Sequence, residues 1–292
     1  MNKFYGTGVA MVTPFQSDGQ VDYPALGRLI EHLIGGGVEY LVSLGTTGES
    51  ATLNKEEKKQ VFKFTAEAVN KRVALVAGIA GNNTLEVVEE IKTFDTTGYD
   101  AILSASPHYN KPTQEGIFQH YKAIALASTL PVILYNVPSR TGTSVSAETT
   151  VKLAQTFKNI IGIKEASGNF DLMNQLMRDK PEDFMLISGD DPITLPMIAM
   201  GAIGVISVTG NALPRKVSEV TRLCLKGDFK GAQQAHYDLI EFTRLMFTEG
   251  NPAGVKSALK TLGVCGDTLR LPLVPVSEGT AEKIKEQVTF IG

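Results

Sequence analysis

The sequence predicts an α/β chain folded as a (β/α)8 TIM barrel with a C-terminal helical extension. Three observations carry that expectation. Short apolar runs at 9–12, 40–44, 73–78, 101–104, 132–135, 160–164, 184–188 and 204–208 number eight, and their unbroken apolar character suits parallel strands covered on the outside by helices. Amphipathic segments separate the runs, and this alternation fits a closed barrel better than an open doubly wound sheet. No G-x-G-x-x-G follows the first run, so a dinucleotide-binding fold lacks its fingerprint.

The segments between the strands carry recognisable helix ends. Asp22 precedes Leu26, Leu29, Ile30 and Leu33 at helical spacing, and Gly35-Gly36-Gly37 stops that segment. Asn54 with Glu57, and Asn83 with Glu86, have the spacing of capping boxes with asparagine as the cap. Gly98 is expected to stop a helix over 84–97, while Ser146 and Asn169 open two more. Beyond residue 212 the strand signals cease, and 215–226, 229–247, 252–262 and 281–290 read as helices, the last two separated by a proline-rich stretch at 271–275. The chain is therefore expected to divide into a barrel of residues 1–212, bearing the active site, and a helical domain of residues 213–292.

Composition narrows the function classes. A chain of 292 residues, 43% hydrophobic and 20% charged, is ordinarily globular, and its net charge of −3 argues against nucleic acid or an anionic membrane as partner. No apolar run approaches membrane-spanning length and no long apolar leader follows Met1, so a cytoplasmic protein is expected. Cys224 and Cys265 have neither metal-ligand spacing nor the density of a disulfide scaffold.

Active sites of such barrels lie at the C-terminal ends of the strands, which singles out Lys164 in Ile160-Ile161-Gly162-Ile163-Lys164-Glu165. Strand alternation puts Gly162 and Lys164 on one face and Ile161, Ile163 and Glu165 on the other. An amine among apolar neighbours gives up its ammonium form more easily and attacks carbonyl carbon; the bland alternative is a lysine snorkelling to water. After the second strand, Gly45-Thr46-Thr47-Gly48-Glu49-Ser50 offers hydroxyls and free N–H groups that suit a carboxylate, although a tight turn needing its glycines explains the same letters. The fifth strand ends in Tyr135-Asn136-Val137-Pro138-Ser139-Arg140, combining a proton-relaying tyrosine with an arginine able to clamp a carboxylate, against the alternative of a core tyrosine and a surface arginine. Prolines stiffen the loop Ser106-Pro107-His108-Tyr109-Asn110-Lys111-Pro112 after the fourth strand. In Ser188-Gly189-Asp190-Asp191, Gly189 permits close backbone approach and Asp191 is expected to cap the next helix. His32, His108, His120 and His236 lack metal-ligand spacing and no G-x-S-x-G elbow occurs, which leaves covalent amine chemistry without a metal.

In this order and spacing, Gly45-Thr46-Thr47-Gly48-Glu49, Tyr135-Asn136-Val137-Pro138-Ser139-Arg140 and Gly162-Ile163-Lys164-Glu165 resemble the dihydrodipicolinate synthase family over essentially the whole chain. The resemblance implies a lyase of the pyruvate-dependent class I aldolase type, condensing pyruvate with L-aspartate 4-semialdehyde on the diaminopimelate route to lysine, with no cofactor. It implies a Schiff base on Lys164, proton transfer by Tyr135, and pyruvate carboxylate binding by Thr46 and Thr47. Thr46 would link Tyr135 to Tyr109 of a neighbouring subunit, Arg140 would bind the semialdehyde carboxylate, and Gly189 and Ile206 would line the pocket through their backbones. A homotetramer, a dimer of dimers, is the implied assembly. Sialic acid lyases resemble the chain at Lys164 and Tyr135 but lack the arginine at 140.

Feedback by lysine, in family members that show it, uses an interface pocket near the positions of Ala51, Lys55, Lys58, Asn82, Glu86 and His108. Two lysine side chains there would face a cationic ligand, so weak or absent inhibition is expected. Two other readings stand beside the synthase: an aldolase for a sialic or deoxy sugar acid, and a catalytically silent barrel that senses a small carboxylate. Fold alone does not separate them.

Overall fold

A computed structural model describes residues 3–291; Met1, Asn2 and Gly292, which the expected domains include, lie outside the described residues. Eight strands, β1 (Gly6–Ala10), β2 (Tyr40–Ser43), β3 (Ala74–Gly78), β4 (Ala101–Ala105), β5 (Val132–Asn136), β6 (Ile160–Glu165), β7 (Met185–Ser188) and β8 (Gly204–Ser207), close in sequence order into a parallel barrel. Between them run α1 (Tyr23–Gly35), α2 (Lys55–Val69), α3 (Thr84–Thr93), α4 (Gln114–Ala127), the short α5 (Pro138–Thr141), α6 (Ala147–Thr156), α7 (Phe170–Asp179) and α8 (Thr194–Ala199). After β8 follow α9 (Pro214–Leu225), α10 (Phe229–Phe247), α11 (Ala253–Thr261) and α12 (Glu278–Ile291). No helix among the described residues is long and apolar enough to cross a membrane. The (β/α)8 architecture with its C-terminal helices is the one the sequence predicts.

Alternation along the strands builds two cores. Leu41, Leu75, Ile102, Leu134, Leu186 and Val205 point outward beneath the helices, whereas Val42, Val76, Leu103, Ile133, Ile187 and Ile206 fill the barrel interior. Helix α9 packs on β1 and β8 and so occupies the eighth place of the outer ring, while α10, α11 and α12 pack on one another beyond it.

Local boundaries follow their chemistry, with instructive departures. Asn54 and Glu57 complete a capping box on α2, Asn54 Oδ1 accepting from Glu57 N and Glu57 Oε2 from Asn54 N, both at 2.9 Å. Asn83 instead accepts from Leu85 N at 3.2 Å, and α3 ends at Thr93, short of the expected 97; Gly98, at φ 82°, serves the turn beyond. Strand β1 begins at Gly6, three residues before the expected start, because glycines open it. A Cβ on Gly8 would lie 2.2 Å from the Tyr40 ring, which fills the barrel floor against Phe4.

Strand β6 departs from simple alternation. Val132 pairs with Ile160 but Ile133 with Gly162, so Ile161 is an extra residue at a bulge. As a result Ile161 packs with the inner core and Ile160 joins Ile163 outside, which corrects the expected sidedness of Ile161; Gly162 and Lys164 share one face as expected, and it is the inner one, Gly162 lying against Met185 and Lys164 against the Tyr135 ring. Gly162 is also required sterically, since a Cβ there would meet Met185 Cβ and its carbonyl oxygen at 2.8 Å.

Candidate active site

Beyond the bulge the β5–β6 register sets Tyr135 beside Lys164, and Ile187 of β7 flanks Lys164 on its other side. Both functional side chains enter the barrel near the C-terminal mouth, Lys164 only 4% exposed and Tyr135 8%. Lys164 Nζ stands 4.4 Å from the centre of the Tyr135 ring. Snorkelling to bulk water is therefore excluded for Lys164.

Gly189 follows β7 and donates its N–H to the Glu165 carbonyl at 2.8 Å. A Cβ at Gly189 would lie 3.0 Å from both Cγ and Cε of Lys164, so the glycine leaves the volume through which the lysine stem passes. Ile206 supplies the apolar wall from β8. Burial and neighbouring Asp191 push the Asp190 carboxyl above its ordinary value, and Lys164 pulls it back, which sets Asp190 within electrostatic reach of the amine.

On the opposite side, a cavity of about 60 Å³ opens between the second and fifth strands, lined by Gly45, Thr46, Ser50, Lys58, Leu103 and Tyr135 among others. Thr46 and Tyr135 thus share one space. Thr47 lies deeper and is buried. Arg140 projects from α5 at the exposed rim. Tyr109 is 88% exposed, holds a positive φ of 70°, and lies outside the residues that line this cavity. Within one chain, therefore, Tyr109 is not brought to Lys164.

The positions expected to bind lysine are distributed over α2, the turn before it, the first turn of α3 and the loops after β3 and β4. Ala51, Lys55, Asn82, Glu86 and His108 are exposed, whereas Lys58 is half-buried and lines the cavity shared by Thr46 and Tyr135.

Several supporting residues escaped the sequence reading. Asn136 Nδ2 donates to Glu165 Oε2 at 2.9 Å and Ser144 Oγ at 3.1 Å, its Oδ1 accepts from Val145 N at 3.0 Å, and Ser167 N donates to Glu165 Oε1 at 2.6 Å. This buried web braces the ends of β5 and β6 and ties them to Ser144 and Val145, just past the α5 turn that carries Arg140; burial pushes the Glu165 carboxyl above its usual range. Asp191 does not cap α8. Its carboxylate accepts instead from the Ser207 hydroxyl, from Val208 N at 2.9 Å and from Thr209 N at 3.2 Å, tying the β7 loop to the end of β8. The available signal was a polar residue standing beside each catalytic candidate, Asn136 after Tyr135 and Glu165 after Lys164, where a buried strand end demands partners.

A buried lysine and a tyrosine side by side at the C-terminal mouth of a closed parallel barrel supply the amine and the proton donor that covalent carbonyl chemistry of the class I aldolase type uses. Comparison with known proteins narrows the class. The sequence model described as the dihydrodipicolinate synthetase family matches residues 3–291, and the chain belongs to that family. It is 53% identical over 280 residues to a 4-hydroxy-tetrahydrodipicolinate synthase of Phocaeicola vulgatus, covering 96% of this chain and 94% of that one. The crystal structure of dihydrodipicolinate synthase from Aquifex aeolicus superposes with a TM-score of 0.96 at 42% identity, covering 99% of this chain and 98% of that one. The chloride-inhibited enzyme of Acinetobacter baumannii complexed with pyruvate gives a TM-score of 0.95 at 41% identity, with 98% of each chain covered.

Proposed function

We propose that this chain condenses pyruvate with L-aspartate 4-semialdehyde to 4-hydroxy-tetrahydrodipicolinate, in the cytoplasm, on the diaminopimelate route to lysine. The observation that carries the reading is the buried Lys164 amine against the Tyr135 ring. Lys164 adds to the keto carbon of pyruvate and water leaves, giving an imine; loss of a methyl proton gives the enamine. Its terminal carbon bonds to the aldehyde carbon of the second substrate, whose oxygen takes up a proton. The semialdehyde's own amine then displaces Lys164 from the imine and closes the ring. Tyr135 gives and takes the protons.

Thr46 and Thr47 hold the pyruvate carboxylate in this reading, Gly189 and Ile206 shape the pocket, and Arg140 at the rim receives the semialdehyde carboxylate. That arginine favours a dicarboxylate product over the sugar acids of related lyases. Exposed Tyr109 is consistent with an aromatic lent to a neighbouring subunit, so assembly as a dimer of dimers belongs to the same proposal. So does the division at residue 212, although the packing of α9 on β1 and β8 favours carrying the barrel through Leu225.

Borohydride reduction in the presence of pyruvate, peptide mass mapping and a condensation assay test the reading together. A reduced pyruvyl adduct on Lys164 with semialdehyde turnover is expected; an adduct without turnover redirects the activity to sugar acids, and absence of an adduct rejects covalent catalysis. Lysine at millimolar concentration is expected to inhibit weakly or not at all, because Lys55 and Lys58 place like charge at the effector positions. Strong inhibition in that titration refutes the feedback reading alone.

A further inference from the structure

The turn after β2 is conformationally costly. Leu44 and Glu49 bound it, both in the left-handed region at φ 54° and 52°, where residues other than glycine are strained. Such a turn keeps its shape only if held from outside, and three successive residues are held. Asn251 Nδ2 donates to Thr47 Oγ1 at 2.9 Å, Thr13 Oγ1 donates to the Gly48 carbonyl at 2.6 Å, and Lys256 Nζ donates to Glu49 Oε1 at 2.5 Å.

The last contact is an ion pair with both side chains at 0% exposure. Lys256 also donates to the Thr268 carbonyl at 2.9 Å and lies 4.2 Å from the centre of the Phe15 ring, while Glu49 Oε2 accepts from Arg270 N at 3.1 Å. Burying such a pair strips both ions of their hydration, and apolar residues of similar volume often serve stability as well. A pair of this kind is better understood by the geometry it fixes than by the stability it adds.

We infer that Lys256 of α11 is a positioning residue for pyruvate binding: through Glu49 it fixes the turn that presents Thr46 and Thr47 to the substrate carboxylate. The C-terminal helices are thereby part of the recognition of the first substrate. This inference rests on the proposed reading of Thr46 and Thr47 as the carboxylate site. Burial pulls the Lys256 amine below its ordinary value and the Glu49 carboxylate offsets this only in part, so removing Glu49 alone also loosens the ammonium.

The test compares the double variant Lys256→Met with Glu49→Gln, the single Glu49→Gln, and Thr47→Val, all in the full chain. The readouts are KM for each substrate, kcat, the pyruvate concentration that half-saturates borohydride trapping, and the thermal midpoint. In the double variant, pyruvate KM and the half-saturating concentration are expected to rise about tenfold, with semialdehyde KM changed less than about twofold. Glu49→Gln, which keeps the shape and an acceptor oxygen, gives a smaller rise of the same kind and decides the matter should the double variant not fold. Unchanged pyruvate KM in a folded variant overturns the inference, as does an equal rise in both KM values, which marks a merely structural role. Thr47→Val separates the two claims: if it raises pyruvate KM and the Glu49 and Lys256 variants do not, only the inference fails, whereas if it changes nothing the carboxylate reading fails with it.

Discussion

Lys164 with Tyr135 and Thr47 with Glu49 are two halves of the proposed site, built by opposite means. The first pair meets because β5 and β6 are neighbours in register, and the barrel's ladder alone sets the spacing. The second is held from sequence distances of 204 and 207 residues, by Asn251 in the connection between α10 and α11 and by Lys256 of α11. In the proposed reading the chemical step thus sits on the barrel's strand ladder, and recognition of the first substrate sits on a turn held by remote anchors. Damage to the first half is expected to appear in turnover, and damage to the second in the affinity for the first substrate.

Tyr135→Phe gives the largest effect that still leaves the amine in place. The ring beneath Lys164 survives and only the phenol is lost, so turnover is expected to fall by ~10²–10⁴ while pyruvate can still be trapped on Lys164. Steady-state kinetics beside borohydride trapping reads both, and turnover near that of the parent removes the phenol from the mechanism. Gly189→Ala attacks the same half by geometry alone. Its backbone does not require glycine, but the new methyl presses on Lys164 Cγ and Cε at 3.0 Å and on Ala166 Cβ at 2.8 Å. Displacing the stem is expected to lower turnover roughly tenfold or more, with a thermal midpoint reduced by the overpacking. A change confined to pyruvate KM instead breaks the division between the two halves.

The same contrast explains what the sequence disclosed. Lys164, Tyr135 and Thr46 were legible because each follows an apolar run, and a barrel sends strand ends to one mouth. The start of β1 was hidden because Gly6 and Gly8 carry no hydrophobic signal; their absent side chains make room for the Glu39 carboxylate and the Tyr40 ring. The Ile161 bulge was hidden because three of the four residues from Ile160 to Ile163 are isoleucine, so nothing in the letters marks the extra one. Asp191 reads as a local cap and serves a neighbouring strand end instead. Lys256 shows only as one of two lysines in α11, between Val255 and Ser257; its partner Glu49 lies 207 residues earlier in the chain, and no periodicity connects them.

The smallest effect concerns the outermost anchor of the second half. Arg270 donates through Nη1 to the Thr52 carbonyl at 2.8 Å and to Glu57 Oε2 at 2.9 Å, and through Nε to the Gly19 carbonyl at 2.9 Å. It therefore ties the start of α2, just past the substrate turn, to the stretch that also contacts Glu49. The Arg270 guanidinium holds the Glu57 carboxyl below its ordinary value. A carboxyl whose folded pKa is depressed contributes stability that is present in full above its unfolded value of about 4.3 and is lost as pH falls through the folded one. Glu57→Gln keeps the volume but removes the charge, and the pair is partly open to solvent, so a loss of only about 1 kcal/mol is expected at pH 7. Urea unfolding of both proteins across pH 7 to 3 should show two curves that converge toward the acid end. A gap that stays constant with pH means the Glu57 charge does not anchor α2, and the tether then rests on the Thr52 and Gly19 carbonyls alone.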